Sequence, residues 1–215
     1  MATLLRRGRV YLDRHTVRDF PSSSMGRHVL AAQAHCGAVK LDLFNTHLES
    51  TREHGAERTS QLEQCLAQMA SRPAASAVIL AGDLNLRDAE LAAAGGLPDR
   101  AVDVWEACGA RKELEWTWDM QRNTNLQANF GPRRPRCRFD RIYLRDSTPS
   151  SVVASGFGLV GLRRITNTQS FPSDHWGLRA TLQLDQGDQG DDTPLLQLQE
   201  GQGATRGKRK SEEMG

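Results

Sequence analysis

Apolar and polar residues alternate along several short stretches of this chain, and each such stretch predicts a strand, because strand side chains point to opposite faces with a period of two. Segments 9–13 (RVYLD), 28–34 (HVLAAQA) and 38–48 (AVKLDLFNTHL) are of this kind. HCGA, between the second and third, predicts a hairpin turn around Gly37. From about Glu53 to Ser71 the period lengthens. Leu62, Cys65, Leu66 and Met69 recur at spacings of three and four, one face of an amphipathic helix, and SRPAAS ends it at Pro73. AVILAG (77–82) is apolar on both faces, which predicts a central strand covered by layers on either side. DAELAAA (88–94) predicts a short helix closed by Gly95 and Gly96, and AVDVWEACG (101–109) a second one. RFDRIYL (138–144), SVVASGFGLVG (151–161) and WGLRATLQL (176–184) predict further strands. Strands interleaved with helices, several joined as hairpins, point to an α/β fold of layered, mixed sheets in one domain over residues 1–184. No internal repeat is visible. After Leu184 the chain turns to Gln, Gly and Asp with few apolar residues, so 185–215 is expected to be a disordered tail.

Composition adds little and excludes much. With 215 residues, 38% hydrophobic and 25% charged, the chain has the make-up of an ordinary soluble domain. No apolar run approaches the roughly 18 residues that a membrane span needs, and MATLLRRGRV has no apolar stretch of signal-peptide length. Cys36, Cys65, Cys108 and Cys137 are widely spaced, without a CxxC pair, which favours free thiols over disulfides or a zinc cluster. A formal net charge of +2 does not by itself argue for nucleic acid. Two basic runs stand out. RGKRK in the tail reads as a nuclear-localisation element or as incidental charge. GPRRPRCR (131–138) reads as an exposed loop, either merely solvated or in contact with a polyanion.

Polar residues gather where the apolar runs stop. AVILAG runs into Asp83 and then Asn85, two positions apart and so on one side of a continuing strand. His47 ends the strand before NTHLES is complete, and Asp174 and His175 lie in FPSDHWG, ahead of the last strand. Singly, each has a structural explanation: a loop start, a helix cap, a satisfied histidine.

Together, NTHLES, AGDLNLRD, RFDRIYL and SDHWGL resemble the signature segments of the endonuclease/exonuclease/phosphatase superfamily. The longer blocks HLESTREHGAER, WTWDMQRNTNL and SFPSDHWGL are similar to its branch that releases topoisomerase-derived tyrosine from DNA 5′ ends. The resemblance runs from about Leu4 to Leu184. It implies a two-layered mixed β-sandwich flanked by helices and hydrolysis of a 5′-phosphotyrosyl bond. It also implies Mg²⁺, with Mn²⁺ as a substitute, and a DNA substrate carrying a tyrosyl or peptide adduct. A monomer in the nucleus, with the cytoplasm as a second location and no membrane association, completes the implied picture. Asp83 would orient or deprotonate the attacking water and Asn85 would hydrogen-bond the water or phosphate. His175 would face a phosphate oxygen or the leaving group, Asp140 would hold His175, and His47 would add a phosphate contact. Asp174 would reach the metal. Trp118, Leu126 and Phe139 would line the groove for the DNA end, with core packing as the alternative. Arg87 and Arg141 are candidates for phosphate contact or for structural ion pairs. FGPRRPR lengthens the loop after Leu126 relative to the superfamily pattern.

Superfamily members open with a strand ending in Asn and a later strand ending in a metal-binding Glu. Neither motif occurs here, so the chain is expected to correspond to the C-terminal portion of such a domain and to be weakly active or inactive. Two other readings stay open: another Mg²⁺-dependent phosphodiesterase of the superfamily, or a catalytically dead module that binds DNA or regulates.

Overall fold

The computed structural model describes residues 1–125, 132–150 and 152–184. The predicted tail with its RGKRK run lies outside the described residues. Strands β1 (Tyr11–Asp19), β2 (His28–Cys36), β3 (Val39–His47), β4 (Ala77–Asp83), β5 (Ala101–Asp103) and β8 (Asp140–Arg145) make one six-stranded sheet, in the order β1-β2-β3-β4-β8-β5. β1, β2 and β3 run antiparallel as hairpins, with Gly37 at φ +57° in the predicted turn. β3 and β4 are parallel, joined by helix α1 (Gly55–Ala70), and β8 returns antiparallel beside β4. β9 (Val152–Val160) and β10 (Gly177–Leu184) form a separate antiparallel ribbon, and β6 (Trp118–Asp119) with β7 (Arg136–Cys137) a very short one.

Period-two burial explains the layers. Phe44 on β3 and Val78 and Leu80 on β4 point to one face. There they meet Leu62, Cys65, Leu66 and Met69, the four apolar positions that predicted α1. Leu41, Ile79 and Ile142 point to the other face and pack with Ala154, Phe157, Ala180 and Leu182 of the ribbon. The arrangement is thus the expected two-layered mixed one, flanked by helices. The second layer covers only part of the sheet. Beside it, Leu43, Ile79, Ala81, Ile142 and Leu178 border a cavity of about 400 Å³ that Ala2 and Thr3 also line. Asn45 fastens that N-terminal stretch through its Nδ2, 2.9 Å from the Ala2 carbonyl oxygen.

Two expectations are corrected. AVDVWEACG is not one helix: Ala101–Asp103 is an edge strand on β8, and only Val104–Ala107 is helical (α3). The carboxylate of Asp103 accepts from the Trp105 N–H and so caps the helix at that point. GPRRPRCR, where described, is not wholly an exposed loop, since Arg136–Cys137 pairs with β6 and Arg138 is largely buried against Asp103, 2.7 Å away. DAELAAA does form a helix, α2 (Asp88–Ala93), and all four cysteines are free. Among the described residues no helix is long and apolar enough to cross a membrane.

Candidate active site

The register of the sheet sets three polar residues in a row. His47 on β3 is the partner of Asp83 on β4, and Asp83 is the partner of Asp140 on β8. The His47 Nε2 lies 3.2 Å from Asp83 Oδ2. Close approach of β3 and β4 depends on Gly82, at φ +151°: a Cβ there would sit 1.8 Å from the Thr46 carbonyl oxygen. Only glycine fits.

Asp83 and Asn85 do not share a strand face, because β4 stops at Asp83. Asn85 is brought back by a left-handed turn at φ +49°, and its backbone N–H donates to Asp83 Oδ1 at 3.0 Å. Its Nδ2 donates to the Leu48 carbonyl, 3.2 Å away. The amide is therefore buried beside Asp83 and partly engaged by backbone.

His175 arrives from a loop. Its Nδ1 is 2.8 Å from Asp140 Oδ2, although the two residues lie 35 apart in sequence. Thr117, 1% exposed, joins the segments that carry them. Its Oγ1 accepts from the N–H groups of Phe139 and Asp140, and its carbonyl accepts from Trp176 N at 2.7 Å. Ser173 Oγ accepts from His175 N, and the Ser173 carbonyl accepts from the side-chain amides of Asn123 and Asn125. Nothing in the hydrophobic pattern marks Thr117, Ser173 or Asn123. Their signal is that polar side chains hold backbone groups which no strand ladder serves.

Proximity shifts the protonation of the row. Burial raises the Asp83 pKa, and the neighbouring Asp140 raises it further, against the opposing charges of His175 and His47. Burial would lower that of His175, but its hydrogen bond to Asp140 and the charges of Asp140, Asp83 and Asp174 outweigh this and raise it. His47 is lowered, by burial first and then by Arg27 and His175, although Asp83 opposes. The row thus holds a reluctant carboxylate, a readily protonated His175 and a His47 inclined to stay neutral.

Asp83, Asp140 and His175 each offer a ligand atom, all within 4.8 Å of one another, so this cluster has donors for a metal ion. Two carboxylates suit a hard cation, whereas the Nδ1 of His175 is already taken by Asp140. Asp174, expected as the metal ligand, stands outside this cluster: its half-exposed carboxylate is 3.9 Å from His175 Nε2.

An aromatic wall flanks His175. Phe139 lies 6.3 Å from the His175 ring and 5.7 Å from Trp118, centroid to centroid, and Arg87 is 6.0 Å above the Phe139 ring. Trp118, Phe139 and Arg87 are therefore gathered at one side of the row. Arg141 has a buried side chain, held 2.8 Å from the exposed carboxylate of Asp88 and 3.6 Å from the buried one of Asp103, the ion pairing that was the alternative to phosphate contact. Leu126 lies outside the described residues.

The sequence model of the Endonuclease/Exonuclease/phosphatase family matches residues 1–175. The chain belongs to that family. Among its relatives in the endonuclease/exonuclease/phosphatase family is tyrosyl-DNA phosphodiesterase 2 of Mus musculus, 42% identical over 183 residues, covering 85% of this chain and 48% of that protein. The Homo sapiens protein of the same name is 40% identical over 184 residues, covering 85% and 50%. The chain thus spans about half the length of these curated relatives. Among solved structures, Danio rerio TDP2 complexed with a single-strand DNA product superimposes with a TM-score of 0.79 at 39% identity, over 83% of this chain and 70% of that one. TDP2 of Caenorhabditis elegans gives 0.73 at 36% identity, over 81% and 52%. The fold alone extends further across the family, to a Bacteroides thetaiotaomicron mannosyl-6-phosphatase at 14% identity and a TM-score of 0.56.

Proposed function

We propose that this chain is a DNA-repair phosphodiesterase that hydrolyses the bond between a tyrosine and a 5′-phosphate of DNA, working as a monomer in the nucleus. The observation that carries the reading is the continuous row His47–Asp83–Asp140–His175 beside an aromatic wall, in a family member about 40% identical to tyrosyl-DNA phosphodiesterases.

Asp83, with its raised pKa, would take a proton from a water it orients, since a general base is most effective when its pKa is near the working pH. Asn85, tied to Asp83 through its backbone, would hydrogen-bond the same water or the phosphate. His175, kept protonated by Asp140, would donate from Nε2 to a phosphate oxygen or to the departing tyrosine oxygen as negative charge develops. His47 would add a phosphate contact at the far end of the row. Phe139 and Trp118 would stack on the terminal base, a contact worth about 1–3 kcal/mol that tolerates any sequence. Arg87 would meet a phosphate from above. Mg²⁺ or Mn²⁺, which Asp174 would reach, would supply positive charge against the phosphate. The second reading is DNA binding without hydrolysis.

The test is release of a 5′-phosphorylated product from a 5′-tyrosyl oligonucleotide across a Mg²⁺ series, with wild type and His175→Ala side by side. We expect the variant to be slower by about 100-fold or more, as for loss of a positioned acid. Equal turnover by both would sink the assignment of the row. Tight product binding without turnover by either would favour the second reading.

A further inference from the structure

Next to His175 the surface carries an arrangement that the chemistry above does not use. Trp176, 2% exposed, meets Phe171 edge-on with centroids 4.9 Å apart, and the Arg122 guanidinium lies 5.9 Å over the Trp176 ring. Arg164 lies 4.6 Å over Phe171 and donates to Thr124 Oγ1 at 2.8 Å. Planar groups therefore follow one another as Arg122, Trp176, Phe171, Arg164. The loops that bear them are stitched together: Asn123 Nδ2 donates to the Ser173 carbonyl, Asn125 Nδ2 donates to the Phe171 carbonyl, and Phe171 N donates to Asn125 Oδ1.

Exposed arginines are common and usually mean nothing. These differ in two respects. Each of the two guanidiniums rests on a ring, and holding an arginine side chain still costs rotamer freedom. Yet among the described residues no carboxylate forms an ion pair with Arg122, Arg163 or Arg164, whereas Arg138 and Arg141 are both paired with Asp88 and Asp103. Arg164 already donates one hydrogen from each terminal nitrogen, to the Gln169 carbonyl and to Thr124 Oγ1, and a fixed, planar guanidinium with no carboxylate partner meets a phosphate with the N–H groups left over. The platform begins one residue after His175, and the loop that bears it is tied to His175 through Ser173.

We propose that Arg122 and Arg164, with the exposed Arg163 beside them, form a track for the phosphodiester backbone of single-stranded DNA leading away from His175. This rests on reading the row as a site for a DNA phosphate. The track is predicted to make affinity depend on strand length without adding sequence preference, because phosphate contacts position and do not specify.

The experiment measures fluorescence anisotropy of 5′-phosphorylated oligodeoxynucleotides of about 3 and about 12 nucleotides, lengths chosen so that only the longer outruns the row. The proteins are wild type, Arg122→Gln/Arg164→Gln, Arg122→Lys/Arg164→Lys and the single Arg164→Gln, which leaves the Trp176 contact alone. At about 0.1 M salt the double Gln variant should lose about tenfold or more on the 12-mer and less than about twofold on the 3-mer. Its slope of log affinity against log salt should fall by about 0.7 for each phosphate contact removed. The Lys variant should recover most of the loss, and Arg164→Gln should fall between. An unchanged 12-mer affinity, an equal loss at both lengths, or no binding by wild type would each overturn the track. Hydrolysis of a mononucleotide tyrosyl ester is measured in parallel. Length-dependent binding without hydrolysis would remove the catalytic reading and leave the track, and hydrolysis with unaltered binding would do the reverse.

Discussion

The sheet-borne and loop-borne halves of the site are held by different means. His47, Asp83 and Asp140 are placed by ladder register across β3, β4 and β8, so their spacing follows from backbone pairing that many residues share. His175 is placed by single contacts, from the Thr117 carbonyl and from the side chains of Ser173, Asn123 and Asn125. A ladder distributes the work of positioning, and a tether concentrates it. Substitutions in the first half should therefore damage fold and chemistry together. Those in the second should separate them.

The strongest way to break this comparison is Gly82→Ala. Its Cβ would overlap the Thr46 carbonyl, so β3 and β4 must part, and a loss of about 3–5 kcal/mol in urea unfolding is expected, the range of severe core defects. A variant of normal stability and full activity would show that register does not fix this half. Asn123→Ala comes next. Asn123 is 4% exposed, its Nδ2 serves the Ser173 carbonyl and its Oδ1 accepts from Asn125 N. Leaving buried partners unmet costs about 1–3 kcal/mol, and turnover should fall more than stability implies.

Thr117→Val sharpens the contrast. It keeps the shape and removes the acceptor for Phe139 N and Asp140 N. A drop of about tenfold in kcat with KM nearly unchanged is expected, since a displaced group costs rate before binding, and Thr117→Ser should restore it. Equal losses in both variants would assign Thr117 to packing alone. The smallest effect concerns Glu49, buried two residues after His47. Burial pushes its pKa up, but hydrogen bonds from Gln61, Ser23, Ser24 and Met25 N–H outweigh that and hold it at about 2. A folded pKa below the unfolded one stabilises at higher pH, so this contribution is lost as pH falls from the ordinary glutamate range towards 2. Melting temperature against pH should show that slope in wild type and lose part of it in Glu49→Gln. Parallel curves would remove Glu49 from the account.

The alternating and helical patterns made much of this molecule legible, because burial on one face leaves a period in the chain. β2, β3 and α1 were visible in that way, as was the clustering of His47, Asp83 and His175 at the ends of apolar runs. Other features left no such trace. β5 hides within AVDVWEACG because a three-residue edge strand is shorter than any period. Arg141 in RFDRIYL reads equally as a phosphate contact or an ion-pair partner, and its partners Asp88 and Asp103 lie too far off in sequence for any local window to show. Asn85 seems to share a face with Asp83, but a left-handed turn two residues on cannot be seen in hydrophobicity. Thr117 acts through backbone groups of segments more than 20 residues away, a relation that no local window contains.

The parallel pairing of β3 and β4 also constrains the order in which the molecule comes into being. β1, β2 and β3 can zip as hairpins while the chain is still being synthesised. His47 and Asp83, by contrast, meet only after the whole crossover helix has emerged and closed. Asp140 needs a further long loop, and His175 comes later still. On a ribosome, the row is therefore completed only when His175 emerges. A nascent chain that stops short of it has most of its sheet and an incomplete row.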